Sequence, residues 1–316
     1  MIKLVGRRLL YLLPVLFGVA LLTFLIASLL PGDLAYVLLG DQATPETLAA
    51  LRHDLGLDRP ILLRFAHWLW QVLQGDLGRS FRTGQTVVTA IAERLPVSIE
   101  LMLLAEIGAL AVAIPLAIVC AVREGGRFDR LVTGAAFASL SVPALLSAIV
   151  LIWLLAVRLE WLPATGYVPL DEDLGGNIRS FILPALTLAS GEWPVLMRVL
   201  RSDMISTLKE DYITMARAKG LKPSRVLLVH ALKPSSLTLV TVTGINIARL
   251  LGGAVIVEYI FALPGIGRLL VGAIFTRDLV LLQGVVLFVG TSFVVVNLAV
   301  DMLYAVLDPR IRHGGR

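Results

Sequence analysis

The stretch VSIELMLLAEIGALAVAIPLAIVCAV, residues 97–122, holds two glutamates and no basic residue within a long apolar run. A helix that crosses a bilayer needs about 20 consecutive, mostly apolar residues. This stretch therefore predicts a transmembrane helix, and the chain contains five more stretches of similar character. They are residues 9–30, 131–157, 181–200, 237–257 and 279–307. The sequence thus predicts an all-α membrane protein with six transmembrane helices.

The composition of the whole chain supports this prediction. Of its 316 residues, 57% are hydrophobic and only 16% are charged, whereas soluble domains have about 45–50% and about 25%. The basic residues lie in short clusters between apolar runs, which favours a lipid bilayer as the partner and argues against nucleic acid. The first apolar run is longer than the core of a signal peptide, about 7–15 residues, and no A-x-A site follows it, so we interpret it as a retained helix.

The distribution of lysine and arginine predicts the orientation. With the N-terminus inside, seventeen basic residues fall in cytoplasmic segments and four in the two short outer loops. Because positive charge favours the cytoplasmic side, both termini are expected inside, an N-in/C-in topology. The expected organisation is a stub with the first helix (1–30), a helical extracytoplasmic segment (31–96), a membrane core (97–308) with a cytoplasmic loop (201–236), and a cytoplasmic tail (309–316).

The long outer segment, residues 31–96, has the sequence pattern of short helices. Thr44 can cap a helix that starts at Pro45, and Pro60 opens a second helix that Gly75 ends. The second helix has an apolar stripe of Ile61, Phe65, Leu69 and Leu73. A third short helix is expected to carry Val87, Val88 and Ile91. The segment is either a cap over the membrane helices or a surface that meets a partner or guides substrate.

Motifs for covalent chemistry and nucleotide binding are missing from the sequence. It has no G-x-x-x-x-G-K-[ST] loop to hold phosphates, no H-E-x-x-H zinc motif and no G-x-S-x-G nucleophile turn. The four histidines have no metal-ligand spacing. The single cysteine, Cys120, can form neither an internal disulfide nor a cysteine-rich metal site. We therefore expect no catalytic residue and no bound metal in this chain.

The stretch RSDMISTLKEDYITMARAKGLKPSRVLLVHALK, residues 201–233, is helix-prone and broken in the middle by Gly220. Tyr212, Met215 and Ala216 are expected on one face of a short helix that Gly220 ends in a left-handed conformation. The surrounding basic residues are Arg217, Lys219, Lys222 and Arg225. Such a surface suits insertion into a groove of another protein. The alternative is an ordinary basic loop that contacts anionic lipid headgroups.

Within this stretch, Thr214-Met215-Ala216, Gly220 and His230 are spaced as in the EAA motif of ATP-binding cassette (ABC) importer permeases. The sequence resembles the first permease subunit of the dipeptide, oligopeptide and nickel family over almost its whole length. Further motifs in the same order are GRRLLYLLPVLFGVALLTFLIASLLPGD, LGLDRP, GDLGRSF, VEYIFALPGIGRLL and VDMLYAVLDPRIR. Thr214-Met215 replaces the Glu-Ala of the general motif, and Pro234 replaces the family's usual asparagine, which affects the docking geometry and not the resemblance.

The resemblance implies the type I ABC importer permease fold and a set of partners. A second homologous permease subunit completes the pathway, two ATPase subunits bind ATP and Mg, and an extracytoplasmic solute-binding protein delivers the cargo. This chain itself is then expected to bind no cofactor and to be no enzyme. The coupling helix that meets the ATPase would comprise Tyr212, Thr214, Met215, Ala216, Arg217, Lys219, Gly220 and Leu221. The resemblance also implies a multi-pass protein of a bacterial or archaeal inner membrane.

Peptides are the cargo that the resemblance favours. Nickel, glutathione or another small solute is the alternative within the same architecture. A stand-alone secondary transporter is a rival of another class, which would pair ion-coupling carboxylates between inverted repeats. The sequence shows no such internal symmetry. A structural membrane protein without a transport path is a third alternative, which the polar groups of the fifth apolar run disfavour.

Ionisable residues at membrane depth usually face a cavity or a partner. The fifth apolar run carries most of the polar groups and joins directly to the expected coupling segment. Asn246, Arg249 and Glu258 are therefore the predicted pathway residues. The other ionisable residues within apolar runs are Glu100, Glu106, Glu192 and Asp301. The alternative to a pathway role is pairing between helices, for instance of Arg249 with an acid.

The loop after the fifth apolar run, residues 258–278, contains Pro264, Gly265 and Gly267 between two apolar stretches. These three residues predict a tight turn next to a re-entrant or surface-lying helix. The turn is expected to act as an outer gate or as a dock for the binding protein. The alternative is a plain connector.

Overall fold

The computed structural model describes residues 2–29, 44–54 and 58–307. Its helices are α1 (Ile2–Leu29), α2 (Pro45–Asp54), α3 (Ile61–Leu73), α4 (Val87–Val122), α5 (Arg127–Ser141), α6 (Ala144–Leu151), α7 (Leu174–Leu208), α8 (Asp211–Ala218), α9 (Leu232–Ile260), α10 (Ile266–Phe275) and α11 (Leu279–Leu307). Two π-helical segments, Ile152–Arg158 and Val226–Ala231, follow α6 and precede α9. Within the described ranges the β-structure amounts to one isolated bridge, between Arg79 and Thr86. The all-α class is therefore confirmed.

Four helical segments are long and apolar enough to cross a membrane. They are Val87–Val122, Leu174–Leu208, Pro223–Ile260 and Leu279–Val300. The bent pair Arg127–Ser141 and Ala144–Arg158 adds a fifth if it is counted as one span. The predicted first span coincides with α1, in which the apolar segment Leu12–Ile26 is shorter than the other spans. The part of the chain that the structure describes thus belongs to a multi-pass helical membrane protein.

The prediction of one uninterrupted span over residues 131–157 is wrong. The helix α5 ends at Ser141 and α6 begins at Ala144, and the two segments are bent by 103°. Pro143 explains the break, because proline lacks an N–H group and forces the preceding residue out of the helical conformation. Val142 accordingly has φ −90° and ψ 119°.

The first two predicted outer helices are present. Thr44 Oγ1 accepts a hydrogen bond from the Thr47 N–H at 3.2 Å, and Thr47 Oγ1 accepts one from the Thr44 N–H at 2.9 Å. This reciprocal pair satisfies two donors at the start of α2. The helix α3 follows Pro60, and Gly75 has φ +83° just beyond its end. Of the predicted stripe on α3, only Phe65 is buried.

The third predicted outer helix is not a separate element. Val87 and Ile91 belong to the first turns of α4, which continues through Pro96 to its end at Val122. These turns are buried against Ile266 and Leu281. Membrane helices tolerate proline where neighbouring packing compensates for the lost hydrogen bond, and so the turn of chain at Pro96 remains helical.

The chain divides into two compact units. The first comprises the described residues of 97–263 and 295–316, and the second those of 2–96 and 264–294. In the second unit, Ser80 Oγ donates a hydrogen bond to Asp278 Oδ2 at 2.5 Å. Asp278 Oδ1 in turn accepts from the Leu281 N–H at 3.1 Å and caps the start of α11.

Small residues bring the helices of the first unit close together. A Cβ atom placed on Gly108 of α4 would lie 3.8 Å from the Ala189 Cβ of α7. A Cβ atom on Gly244 of α9 would lie only 2.5 Å from Val300 Cγ2, so a side chain here would force Val300 to shift. The fully buried alanines of α4 are Ala105, Ala109, Ala113 and Ala117. Such residues allow the tight packing that holds membrane helices together.

Candidate functional site

The helix α8 ends at a glycine with left-handed backbone. Gly220 has φ +75°. Its N–H donates to the Arg217 carbonyl at 2.9 Å, and the Leu221 N–H donates to the Ala216 carbonyl at 3.3 Å. These two bonds form a Schellman motif, which satisfies the last carbonyl groups of a helix. The predicted conformation of Gly220 is therefore confirmed.

One side of α8 is buried against the first unit. Ile213 is 0% exposed and Ala216 is 7% exposed, and both join an apolar cluster with Met204 of α7 and Leu239 of α9. The prediction that Ala216 shares an exposed face with Tyr212 and Met215 is thus wrong. Ala216 faces inward because the i, i+3 spacing places it beside Ile213. The sequence interpretation did not include Ile213, although this spacing could have indicated it.

The opposite side of α8 is exposed and mainly apolar at its centre. Met215 is 58% exposed and Tyr212 is 44% exposed. The Tyr212 hydroxyl donates to the His230 carbonyl at 3.3 Å. Partial burial, together with the negative charge of Glu210, raises the pKa of the Tyr212 phenol above its ordinary value. The remaining predicted residues of this segment are exposed or, for the last, half-buried: Thr214, Arg217, Lys219, Gly220 and Leu221.

An ion pair holds α7, the helix that precedes α8, against the start of α5. Arg201 Nε and Nη2 donate to Asp129 Oδ1 and Oδ2, both at 2.6 Å. Asp129 Oδ2 also accepts from the Gly125 N–H at 2.9 Å. A bidentate guanidinium–carboxylate pair of this kind is geometrically specific. It ties the start of α5 to α7, the helix from which α8 continues.

Two of the three predicted pathway residues lie together in a polar cluster, which we define as Glu106, Glu192, Thr243, Asn246 and Arg249. Arg249 Nη2 donates to Asn246 Oδ1 at 2.8 Å and lies 3.5 Å from Glu192 Oε2. The pairing of Arg249 with an acid, which the sequence left as an alternative, is therefore present. The sequence could not show that Glu192 of α7 approaches Arg249 or that Glu106 of α4 faces Thr243, because these helices are distant in sequence from α9.

The third predicted pathway residue, Glu258, lies elsewhere. It stands nine residues after Arg249, which is about 13 Å along a helix. Glu258 is 1% exposed, and its Oε1 accepts a hydrogen bond from Ser98 Oγ at 2.6 Å. The structure therefore joins Glu258 to α4 and does not bring it together with Asn246 and Arg249.

The predicted turn near residue 264 precedes α10. Gly265 occupies the position before the helix, with extended backbone, and Gly267 lies in its first turn. Both glycines are buried, and Pro264 is half-buried. The exposed apolar side chains of this element lie instead at its other end, at Ile274 and Phe275, which are 53% and 73% exposed.

Long apolar helices define a multi-pass membrane protein, and its short helix α8 exposes Tyr212 and Met215. The chain belongs to the family of binding-protein-dependent transport system inner membrane components. The model of this family matches residues 113–313, and a second model, for the N-terminal part of such membrane components, matches residues 1–102. The family resemblance stated from the sequence is confirmed.

Individual relatives agree with the family. A protein of Brucella abortus named as a peptide transport system permease is 46% identical over 313 residues, which cover 99% of this chain and 100% of the relative. The dipeptide transport system permease protein of Escherichia coli K12 is 38% identical over 337 residues, which cover 99% of each chain. Among solved structures, the inward-facing MetNI methionine ABC transporter has a chain with a TM-score of 0.58 and 14% identity, covering 69% of this chain and 96% of that one. At that identity the similarity concerns the fold alone.

Proposed function

We propose that this chain is one of two permease subunits of an ABC importer for peptides. The family and the names of the relatives from B. abortus and E. coli support this assignment. In the proposed assembly, a solute-binding protein delivers di- or oligopeptides to a pathway of which this chain forms half. Two separate ATPase subunits hold ATP and Mg and hydrolyse the nucleotide, and this chain contributes no covalent chemistry.

The proposed coupling element is α8 with the three residues that follow it, Lys219, Gly220 and Leu221. The difference in exposure between the two sides of α8 supports this proposal. Ile213 and Ala216 anchor the helix to α7 and α9, while Met215 and Tyr212 remain available to a partner. A rigid helix anchored between two long helices can pass the closure of an ATPase dimer to both of them, as in other two-state switches.

The proposed topology has six transmembrane helices with both termini in the cytoplasm. In addition to the four long apolar segments, α1 and the bent pair α5–α6 would each cross the membrane. Residues 31–96 and the turn at Pro264, Gly265 and Gly267 would then lie on the outer side, where this turn with α10 is the proposed gate or dock for the binding protein. The exposed Ile274 and Phe275 support a docking role for α10. The proposed location is the inner membrane of a bacterium.

Asn246 and Arg249 are the proposed pathway residues of α9. The two residues lie one turn apart; the Arg249 side chain is half-exposed and Asn246 is fully buried. These positions support a polar pathway lining that extends from the surface of the unit into its interior. Nickel and glutathione are the alternative cargoes. The names of the relatives favour peptides.

Co-purification and transport test this function together. The tagged chain, isolated from native membranes, should recover a second permease and two ATPases with P-loops. In proteoliposomes with the binding protein, this complex should accumulate labelled alanyl-alanine only when ATP is supplied, and excess nickel or glutathione should not compete. If the chain without any ATPase accumulates solute against its gradient, it is a secondary transporter and the proposal is wrong.

A further inference from the structure

Buried polar atoms without a hydrogen bond concentrate where α4, α7 and α9 meet in the first unit. Of seven buried side-chain atoms without a hydrogen bond in the described part of the chain, five belong to the polar cluster. They are Glu106 Oε1 and Oε2, Glu192 Oε2, Thr243 Oγ1 and Asn246 Nδ2. Glu106 is 3% exposed and Asn246 is 1% exposed. Because buried polar groups are nearly always hydrogen-bonded, this concentration leaves hydrogen-bonding capacity for a polar ligand.

The ionisable groups of the polar cluster are two acids and one base. Glu106 faces the Thr243 hydroxyl without forming a hydrogen bond of good geometry. Arg249 gives its hydrogen bond to Asn246 and approaches Glu192 only to 3.5 Å. Two carboxyl groups thus lie near one guanidinium, at a depth where ionisable groups are costly and mark functional sites.

The unpartnered atoms specify what kind of ligand fits. Four of the five are oxygens of Glu106, Glu192 and Thr243, which accept hydrogen bonds. An ammonium group carries three N–H donors and one positive charge, so it would donate to these oxygens and pair with a carboxylate. The fifth atom is a donor. Since a guanidinium only donates, the Asn246 atom that faces Arg249 is Oδ1, and Nδ2 is left to donate to a carbonyl oxygen.

We propose that Glu106 and Glu192 bind the terminal ammonium group of a peptide and that Asn246 Nδ2 binds its first carbonyl oxygen. This inference rests on the proposed function, because it takes a peptide as the cargo. An α-amino group beside a carbonyl is present at the N-terminus of every peptide, whatever its side chains. Arg249, whose side chain is 55% exposed, marks the side from which the ligand enters. The site therefore recognises the feature that all peptides share and leaves sequence selectivity to other subunits.

Carbodiimide labelling of the wild-type protein tests the site directly. Dicyclohexylcarbodiimide modifies protonated carboxyl groups in apolar surroundings, and a bound ammonium group would shield them. The full chain, in lipid nanodiscs with the subunits that co-purify with it, is labelled with and without saturating alanyl-alanine. Mass spectrometry then measures modification at Glu106 and Glu192, with Glu100 of α4 as the internal reference. We expect alanyl-alanine to lower labelling of Glu106 and Glu192 about tenfold relative to Glu100.

Two further ligands separate this site from other occupants of the same oxygens. N-acetyl-alanyl-alanine keeps the carbonyl groups but has no ammonium, and it should give no shielding. Sodium chloride should also give none. Equal shielding by the acetylated peptide, shielding by sodium alone, or labelling that no ligand changes would each overturn the proposal, the last because a proton would then neutralise the cluster.

Uptake by the complex distinguishes a failure of the site from a failure of the proposed function. Glu106→Gln and Glu192→Gln should each lower alanyl-alanine uptake about tenfold, whereas Glu100→Gln should transport as the wild type does. If the wild type transports peptide but labelling is insensitive to it, the site is wrong and the function stands. If alanyl-alanine shields Glu106 but the complex transports no peptide, the site stands and the proposed function is wrong.

Discussion

The helix α8, with its cap at Gly220, and the polar cluster belong to the same compact unit. They differ in how completely their polar groups are hydrogen-bonded. In α8, the carbonyl groups at the end of the helix are satisfied by Gly220 and Leu221, and the inner side is packed by Ile213. Residues of this chain alone therefore cap α8 and pack its inner side. In the polar cluster, five buried side-chain atoms have no hydrogen bond. Under the two proposed roles, the comparison teaches that a surface for a permanent partner is preformed, whereas a site for a transient ligand retains unsatisfied polar groups.

The largest effect is expected from Gly220→Pro, which tests whether the preformed shape of α8 matters. Proline fixes φ near −65°, so it cannot adopt the +75° of Gly220, and it lacks the N–H that bonds to Arg217. We expect substrate-stimulated ATP hydrolysis by the assembled complex to fall more than about tenfold, since proline at this position removes the Schellman motif that ends α8. Insertion into the membrane should be unaffected.

Gly220→Asn is the matched control for this prediction. Asparagine tolerates left-handed backbone, and a Cβ atom at this position meets nothing within 4 Å. Its coupled hydrolysis should remain close to that of the wild type. If the proline variant retains full coupling, α8 does not transmit movement from the ATPase to the membrane helices. Its comparison with the polar cluster would then fail.

A pair of substitutions separates the two sides of α8. Ile213→Ala removes a fully buried side chain, and we expect it to lower the free energy of unfolding by about 2–5 kcal/mol. Met215→Ala changes a side chain that is 58% exposed, so stability should stay within about 0.5 kcal/mol of the wild type. Thermal unfolding of the purified chain measures both. Met215→Ala should nevertheless reduce the ATPase that co-purifies, and unchanged recovery of the ATPase would contradict the assignment of this side as the partner surface.

Local chemistry made much of α8 predictable from the sequence, but not which of its sides is buried. Gly220 follows a helical pattern, and only a residue that tolerates positive φ fits there. Ile213, Met215 and Ala216 are all compatible with an apolar face in a short helix, and the choice between them depends on α7 and α9. The bend at Pro143 has a signal in the sequence, because proline and the residue before it disfavour the helical conformation. Membrane helices often retain prolines, however, and so the sequence alone does not decide between a kink and a break.

The polar cluster illustrates the opposite case. Each of its ionisable residues is visible as a charge within an apolar run, and a role at membrane depth follows from that alone. Their convergence does not follow, because Glu106, Glu192 and Arg249 come from three helices that are distant in sequence. Glu258 shows the same limit: it shares a helix with Arg249, yet its partner is Ser98. Proximity along a helix does not predict which neighbouring helix supplies the partner.

A smaller effect is expected from Arg249→Ala, which tests the polar cluster without disturbing the fold. The Arg249 side chain is 55% exposed, so its removal should leave assembly with the other subunits intact. Peptide uptake should fall about fivefold, equivalent to about 1 kcal/mol, because Asn246 would lose the hydrogen bond that orients its side chain and Glu192 would lose its cation. Arg249→Lys, which keeps the charge, is the control. Unchanged uptake kinetics in the alanine variant would assign Arg249 a purely structural role.

The smallest effect is expected from Tyr212→Phe, which asks whether α8 depends on any polar contact. The hydroxyl bond to the His230 carbonyl is long, at 3.3 Å, and the side chain is 44% exposed, so its loss should cost at most about 0.5 kcal/mol. The pKa of the Tyr212 phenol is raised in the folded protein. The stability that this hydroxyl contributes is therefore fully present below the ordinary tyrosine pKa of about 10, and it is lost as the pH rises through the pKa of the folded protein. The difference in unfolding temperature between wild type and variant should therefore be constant from about pH 6 to pH 9. A difference that changes within this range would mean that another titrating group supports α8. The helix would then depend on electrostatics, as the polar cluster does, and the contrast between the two regions would fail.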